Sequence, residues 1–242
     1  MMRIYHTSDM HDRRGFAARL EELRERAPGL LLDCGDSLRG SQTIYHRNEP
    51  IVAEIDAARY DLQAMGNREF HYLFGAVRAR AAMMKHPLLC SNLVDTKGRE
   101  LPFRTEYVLP LERPTHFLGL LVTQYPAGSP WERIFGWRFL DPIEVVRRYA
   151  QRMPEGEPLV VLSHLGLKMD RRLAAAVGRI DLILGGHSHD TLFAPEYVGE
   201  VPIVHAGPYA AYVSRTELDF DAGSQRLRVR DFELIPLLGE AK

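Results

Sequence analysis

A chain of 242 residues with 45% apolar content is long enough to bury a sizeable core within one domain. Its 31 basic and 32 acidic residues nearly cancel and form no long block of one sign, which argues against strong nucleic-acid binding or an anionic membrane surface and for a small partner. The two cysteines, Cys34 and Cys90, each sit in an apolar run and read as small hydrophobes rather than a disulfide. The opening MMRIYHTSD has no apolar signal core, and no later run has the length to span a bilayer, so a cytoplasmic protein without a membrane partner is expected. Only four of the basic residues are lysine (Lys85, Lys97, Lys168 and Lys242); this suits the gripping of planar oxyanions, and it is equally what genomic bias produces.

Short apolar runs bounded by turn residues predict buried strands at 2–6, 30–35, 62–66, 87–92, 117–122, 158–164 and 181–186. Between them, periodic patterns predict helices at 15–27, 50–60, 69–84 and 141–153. Such alternation indicates an α/β domain with much parallel pairing. The stretch 123–137, TQYPAGSPWERIFGW, reads as a long loop whose Tyr125, Trp131, Phe135 and Trp137 serve either as packing or as an aromatic wall beside a ligand. Past residue 200, VPIVHA, YVSRTELDFD and RLRVRDFEL alternate apolar with polar and predict an antiparallel closing section. No repeat or linker divides the chain, and one domain over 1–242 is expected.

The polar residues that carry chemistry fall just after the carboxyl ends of the predicted strands, where open α/β sheets place their ligands. Asp9 and His11 follow the first strand; alternation in an extended segment would aim both at one ion, while an N-cap role for Asp9 explains the same pattern. Asp36, in CGDS, reads as a turn residue or as a carboxylate reaching two cations. Asn67, in MGN, is a turn signal with an amide oxygen suited to a metal. His164 ends one apolar run, and His187 and His189 end another as GGHSH. A buried histidine needs a polar partner, and three of them at two strand ends are better explained by metal ligation than by core packing.

In the order D-x-H, GD, GN, H, GHSH, these seven residues resemble the ligand set of the calcineurin-like metallophosphoesterases. The stretches IYHTSDMH and AGPYAAYVSRTELDFD are similar to the start and the closing strands of the 5'-nucleotidase branch of that family. The resemblance covers nearly the whole chain and implies a four-layer αββα sandwich with two divalent ions at its rim. Asp9, His11, Asp36 and His189 would hold one ion, and Asp36, Asn67, His164 and His187 the other, with Asp36 bridging. Mixed oxygen and nitrogen ligands suit Mn, Fe, Zn or Co, and two ions about 3.5–4 Å apart clamp an in-line displacement at phosphorus. The resemblance also implies a hydroxide between the ions as nucleophile.

Two departures from the family pattern stand out. After the asparagine the family has a histidine that protonates the leaving oxygen, and in the 5'-nucleotidase branch an aspartate three residues later orients it; here these positions hold Arg68 and His71. Arginine gives up no proton at neutral pH but grips phosphate oxygens through its planar fork. His71 reads either as a relocated acid or as a helix-surface residue. The second departure is length: two-domain 5'-nucleotidases carry a further carboxyl-terminal domain that holds the base, and this sequence stops at Lys242. His6 reads as structural support for the site, and His205 has no assigned role. The expected function is a dinuclear metal-dependent phosphoesterase acting on a small phosphorylated molecule, nucleotides among the candidates. The alternative is a catalytically impaired metal- and phosphate-binding protein. Nuclease action is a third reading, disfavoured by the balanced charge.

Overall fold

The structure is a computed structural model and describes residues 1–238. The first half runs β1 (Met2–Thr7), α1 (Ala17–Arg26), β2 (Leu30–Asp33), α2 (Ile51–Ala58), β3 (Leu62–Ala64), α3 (Phe74–Ala81), β4 (Leu88–Leu89), β5 (Leu93–Asp95) and β6 (Tyr107–Pro110). There follow β7 (Pro114–Leu121), α4 (Pro130–Phe135), β8 (Trp137–Phe139), α5 (Pro142–Arg152), β9 (Leu159–His164), α6 (Leu167–Ala176) and β10 (Leu182–Gly185). The chain closes with β11 (Glu196–Val198), β12 (Val201–His205), β13 (Tyr212–Asp221) and β14 (Arg226–Pro236).

Two six-stranded sheets, ordered β14-β13-β1-β2-β3-β4 and β11-β12-β10-β9-β7-β6, form the centre. Side chains alternate between the faces of each strand, and the core divides accordingly. Ile4, Leu32 and Leu62 of one sheet meet Phe117, Val160, Leu162, Leu182 and Leu184 of the other in a buried inner layer. On the outer face of the first sheet, Tyr5 and Leu31 pack with Leu20 of α1 and Ile51 and Ile55 of α2. On the outer face of the second, Leu118, Val161 and Ile183 pack with Val146 of α5 and Leu173 of α6. The result is the helix–sheet–sheet–helix sandwich that the sequence resemblance implies.

The predicted strands are present, and the differences from expectation lie elsewhere. Helix α3 begins at Phe74 rather than at 69, because residues 66–71 are consumed by turns: the Glu69 carboxylate is taken up by backbone N–H groups, and Tyr72 N–H bonds the Gln42 carbonyl. The expected loop at 123–137 contains α4, with Pro130 at its first turn and Gly136 in the left-handed region (φ 83°) at its end. Helix α6 is an element that the sequence pattern did not flag. The closing section is only partly antiparallel: β13 and β14 form a hairpin, but β12 lies parallel to β10, Ile203 opposite Ile183. Among the described residues, no helix is long and apolar enough to cross a membrane.

Candidate metal centre

Strands β1, β2, β3, β9 and β10 all deliver their carboxyl ends to one rim. Asp9 N–H donates to the Gly35 carbonyl (2.9 Å) and His11 N–H to the Asp36 carbonyl (2.9 Å), tying the first loop to the second. Gly35 and Gly66 press the second loop against the third: a Cβ on Gly66 would lie 2.3 Å from the Asp36 amide nitrogen, so only glycine fits. Asp36 and Asn67 are thereby neighbours, and Arg68 N–H donates to Asp36 Oδ1 (2.8 Å).

The backbone at this rim is strained. Of ten non-glycine residues with positive φ among the described residues, Asp9, His11, Asp36, His187 and His189 account for five. Each left-handed residue of this kind costs on the order of 1–3 kcal/mol, and such strain gathers at functional sites. It also corrects an expectation: Asp9 and His11 converge through left-handed turns (φ 52° and 49°), not by alternation along an extended strand. Nor does Asp9 cap α1, whose N-cap position is Phe16.

Among the described residues, two groups of side chains have ligand atoms within 4.8 Å of one another: Asp9, His11 and His189, and Asp9, Asp36 and His164. His11 Nε2 and His189 Nε2 lie 3.0 Å apart. Asn67 Nδ2 is 3.3 Å from His187 Nδ1, and the His187 ring meets the His164 ring edge-on at 5.0 Å. His164 is fully buried; its Nδ1 bonds the Cys34 carbonyl at 2.7 Å, which fixes that nitrogen as the proton-bearing one. Its Nε2 lies 3.3 Å from Asp36 Oδ1 yet makes no hydrogen bond. A buried imidazole nitrogen without a hydrogen-bond partner, aimed among carboxylates, is a ligand position for a divalent cation.

Electrostatics agree. Burial pushes Asp9 up. Burial acts in the same sense on Asp36, but the neighbouring His164 charge and the Arg68 N–H outweigh it and hold its carboxyl well below the usual range. Burial lowers His164, and the Asp36 and Asp9 charges more than reverse this, raising it to about 10. Burial, with the Arg68 charge in second place, lowers His11 to about 4; burial, with the His164 charge, lowers His187 to about 4. Two buried carboxylates beside the neutral imidazoles of His11 and His187 favour a cation, a divalent ion would take the place of the proton that these carboxylates hold on His164, and the residues present fit the divalent ions of the resemblance.

Three supporting residues were missed in the sequence. Glu69, fully buried, accepts N–H bonds from Asp36 (2.8 Å), Ser37 (2.9 Å), Leu38 (3.3 Å) and Gly66 (2.9 Å), so one carboxylate shapes both the second and third loops. Gln124 donates to Asn67 Oδ1 (2.7 Å) and is itself bonded by Gln42. Tyr209 packs against the rings of His11 and His189. A run of polar residues signals ligands, but nothing in a single sequence marks a carboxylate spent on distant backbone. Glu69→Ala strands four buried donors at about 1–3 kcal/mol each. Even a net loss of about 3 kcal/mol lowers Tm by roughly 6–12 °C for a chain of this size; calorimetry showing Tm unchanged would refute this bracing role.

Arg68 is half-buried, and its Nη1 donates to the carbonyls of Leu38 (3.3 Å) and Arg39 (3.2 Å). His71 is buried outside any helix, accepting from Leu73 N–H at Nδ1 (2.9 Å), and burial lowers its pKa. Neither partner belongs to the metal cluster. His6 is buried with Nδ1 3.2 Å from Ser214 Oγ, and His205 bonds Asp170 (2.8 Å) beneath Gly185. Of the four aromatics at 125–137, Tyr125 and Trp137 are buried in the core and Trp131 is exposed.

Comparison with known proteins agrees with this geometry. The model of the calcineurin-like phosphoesterases matches residues 2–191, and the chain belongs to that family, whose members use divalent metals. It is 28% identical over 239 residues to the uncharacterized metallophosphoesterase YunD of Bacillus subtilis, covering 91% of this chain and 50% of that protein. It is 26% identical over 272 residues to a human 5'-nucleotidase, covering 90% of this chain and 46% of that protein. The crystal structure of a 5'-nucleotidase precursor from Thermus thermophilus superposes with a TM-score of 0.79 at 23% identity, over 98% of this chain and 54% of that one. The chain thus spans about half the length of the relatives it matches.

Proposed function

We propose that this chain is a dinuclear metal-dependent phosphoesterase acting on a small phosphorylated molecule, with nucleotides the leading substrate class. The observation that supports this reading is that Asp9, His11, Asp36, His164 and His189 form close groups of ligand atoms on one strained rim, with His187 beside His164 and Asn67 beside His187. Asp9, His11, Asp36 and His189 would hold one ion, and Asp36, Asn67, His164 and His187 the other. Ions held there would supply Lewis-acid chemistry, the activation of a water and the neutralisation of charge on the phosphoryl oxygens. The protein's own part is to place them. The His164 tautomer set by Cys34 presents Nε2, Gln124 and His187 orient Asn67, and Glu69 holds the Asp36 loop.

Arg68 takes the phosphate-gripping role. Among the described residues no carboxylate lies within ion-pair distance of its guanidinium, and its charge is felt at His11. One edge of the fork is spent on two carbonyls, leaving the other for a phosphate oxygen. The competing reading, a metal- and phosphate-binding protein without turnover, is favoured by one observation: an arginine stands where the family has its acid. Metal analysis coupled to a phosphatase and phosphodiesterase panel with added Mn tests both. Hydrolysis of monoesters supports the proposal, and bound metal with no turnover across the panel selects the alternative.

Among nucleotides, selection at the base should be loose, because the described side chains gathered at the rim are metal-ligand types and the Arg68 guanidinium rather than donors and acceptors matched to one base edge. AMP, GMP, CMP and UMP are expected to agree in kcat/KM within about tenfold. A preference well above that for one base would contradict the expectation.

A further inference from the structure

Tyr209 is an exposed aromatic held in a conformation that aromatics avoid. Its φ is 60°, Ala210 follows at 54°, and Gly207 precedes at 81°. The backbone is pinned from several sides: Tyr209 N–H donates to the Asp9 carbonyl (2.8 Å), Leu238 N–H to the Ala210 carbonyl (3.2 Å), and Thr191 bridges Ala206. A Cβ on Gly207 would meet Thr191 Oγ1 at 2.3 Å, so the loop has one way to pass. Left-handed backbone at a bulky residue is uncommon and costly, and glycine would relieve it here. What the strain secures is placement. The ring centroid sits 5.3 Å from that of His11 and 5.4 Å from that of His189, yet 43% of the residue stays exposed. Other exposed aromatics, such as Tyr197 and Phe193, have neither the left-handed backbone nor a contact with the His11 and His189 rings.

Resting on the phosphoesterase reading, we propose that Tyr209 is a substrate-binding residue whose free ring surface stacks an aromatic or heterocyclic group of the phosphorylated substrate, on the His11/His189 side of the metal centre. Stacking of this kind tolerates every base, because each has a π-face, and so accords with loose selection among bases while still rewarding the presence of one. It places the leading contact to the non-phosphate part of the substrate on this chain's own rim.

The test is equilibrium binding to the Mn-loaded protein, which does not depend on turnover, with AMP, ribose 5-phosphate and inorganic phosphate as probes. The wild-type protein is expected to bind AMP about tenfold or more tightly than ribose 5-phosphate. Tyr209→Phe should keep that ratio. Tyr209→Gly, which suits the left-handed backbone and separates loss of the ring from loss of the fold, should bring it near one, with bound Mn and inorganic phosphate affinity measured on the same variant so that any loosening of the His11 and His189 rings is read apart from the ratio. Equal binding of AMP and ribose 5-phosphate by the wild type, or a ratio that survives Tyr209→Gly, overturns the proposal and leaves the phosphoesterase reading standing. Loss of the ratio in Tyr209→Phe would move the role to the hydroxyl and overturn stacking. No binding of any of the three probes would sink the site reading itself, and this inference with it.

Discussion

Asp36→Ala is expected to release both metal ions and to lower activity on every ester by roughly 10³ or more, since several kcal/mol of charge stabilisation go with the ions. Asp36 reaches the cluster from a turn that the Glu69 carboxylate braces, and its Oδ1 lies between His164 and the Arg68 N–H. His187→Ala and His189→Ala should each weaken one site preferentially, because the two rings face different neighbours: His189 faces His11 and Asp9, whereas His187 faces Asn67 and His164. Asp9→Ala is the informative counterpart, since the Asp9 carboxylate belongs to both close groups of ligand atoms. Elemental analysis that finds one ion fully retained in Asp36→Ala, and none in Asp9→Ala, would transfer the bridge to Asp9.

The second large effect concerns the leaving group. A positioned general acid contributes about 10²–10⁴ in rate, most where the departing oxygen must be protonated as the bond breaks. Arg68 supplies no such proton. Activity on nitrophenyl phosphates and phosphoanhydrides should therefore be retained, and activity on alkyl esters such as nucleoside monophosphates should be weak. Arg68→His together with His71→Asp should raise alkyl-ester hydrolysis selectively. A relocated acid at His71 predicts that His71→Ala alone depresses alkyl esters and spares activated ones. The structure gives this second route little support, because the hydrogen bond of the His71 ring goes to Leu73 rather than to the metal cluster. Equal rates on both ester classes, unmoved by either substitution, would show that the site needs no acid from this segment.

The site was legible in the sequence to the extent that it obeys one rule: polar residues placed just past apolar strands. Asp36, Asn67, His164, His187 and His189 announce themselves in this way, and the parallel strands that carry them follow from the apolar runs. What stayed hidden depends on contacts between distant segments. Glu69 looks like an ordinary helix-start residue, yet its carboxylate is spent on the backbone of residues 36–38 and 66, and that diversion is also why α3 starts five residues later than its periodicity suggests. Tyr209 reads as part of a loop until the fold sets it against His11 and His189. The helix α4 could have been found from Ser129-Pro130 at one end and Gly136 at the other, a start and a stop signal that the aromatic content of the segment obscured. The parallel placement of β12 was not readable, because alternation reports which faces a strand has and not which neighbour it chooses.

The most direct test of the central claim is to titrate Mn into metal-stripped protein while following hydrolysis of nitrophenyl phosphate. The account predicts that activity is absent without metal, rises as the ion is added and levels off at two equivalents per chain. A plateau at one equivalent, or hydrolysis indifferent to the metal, would contradict it.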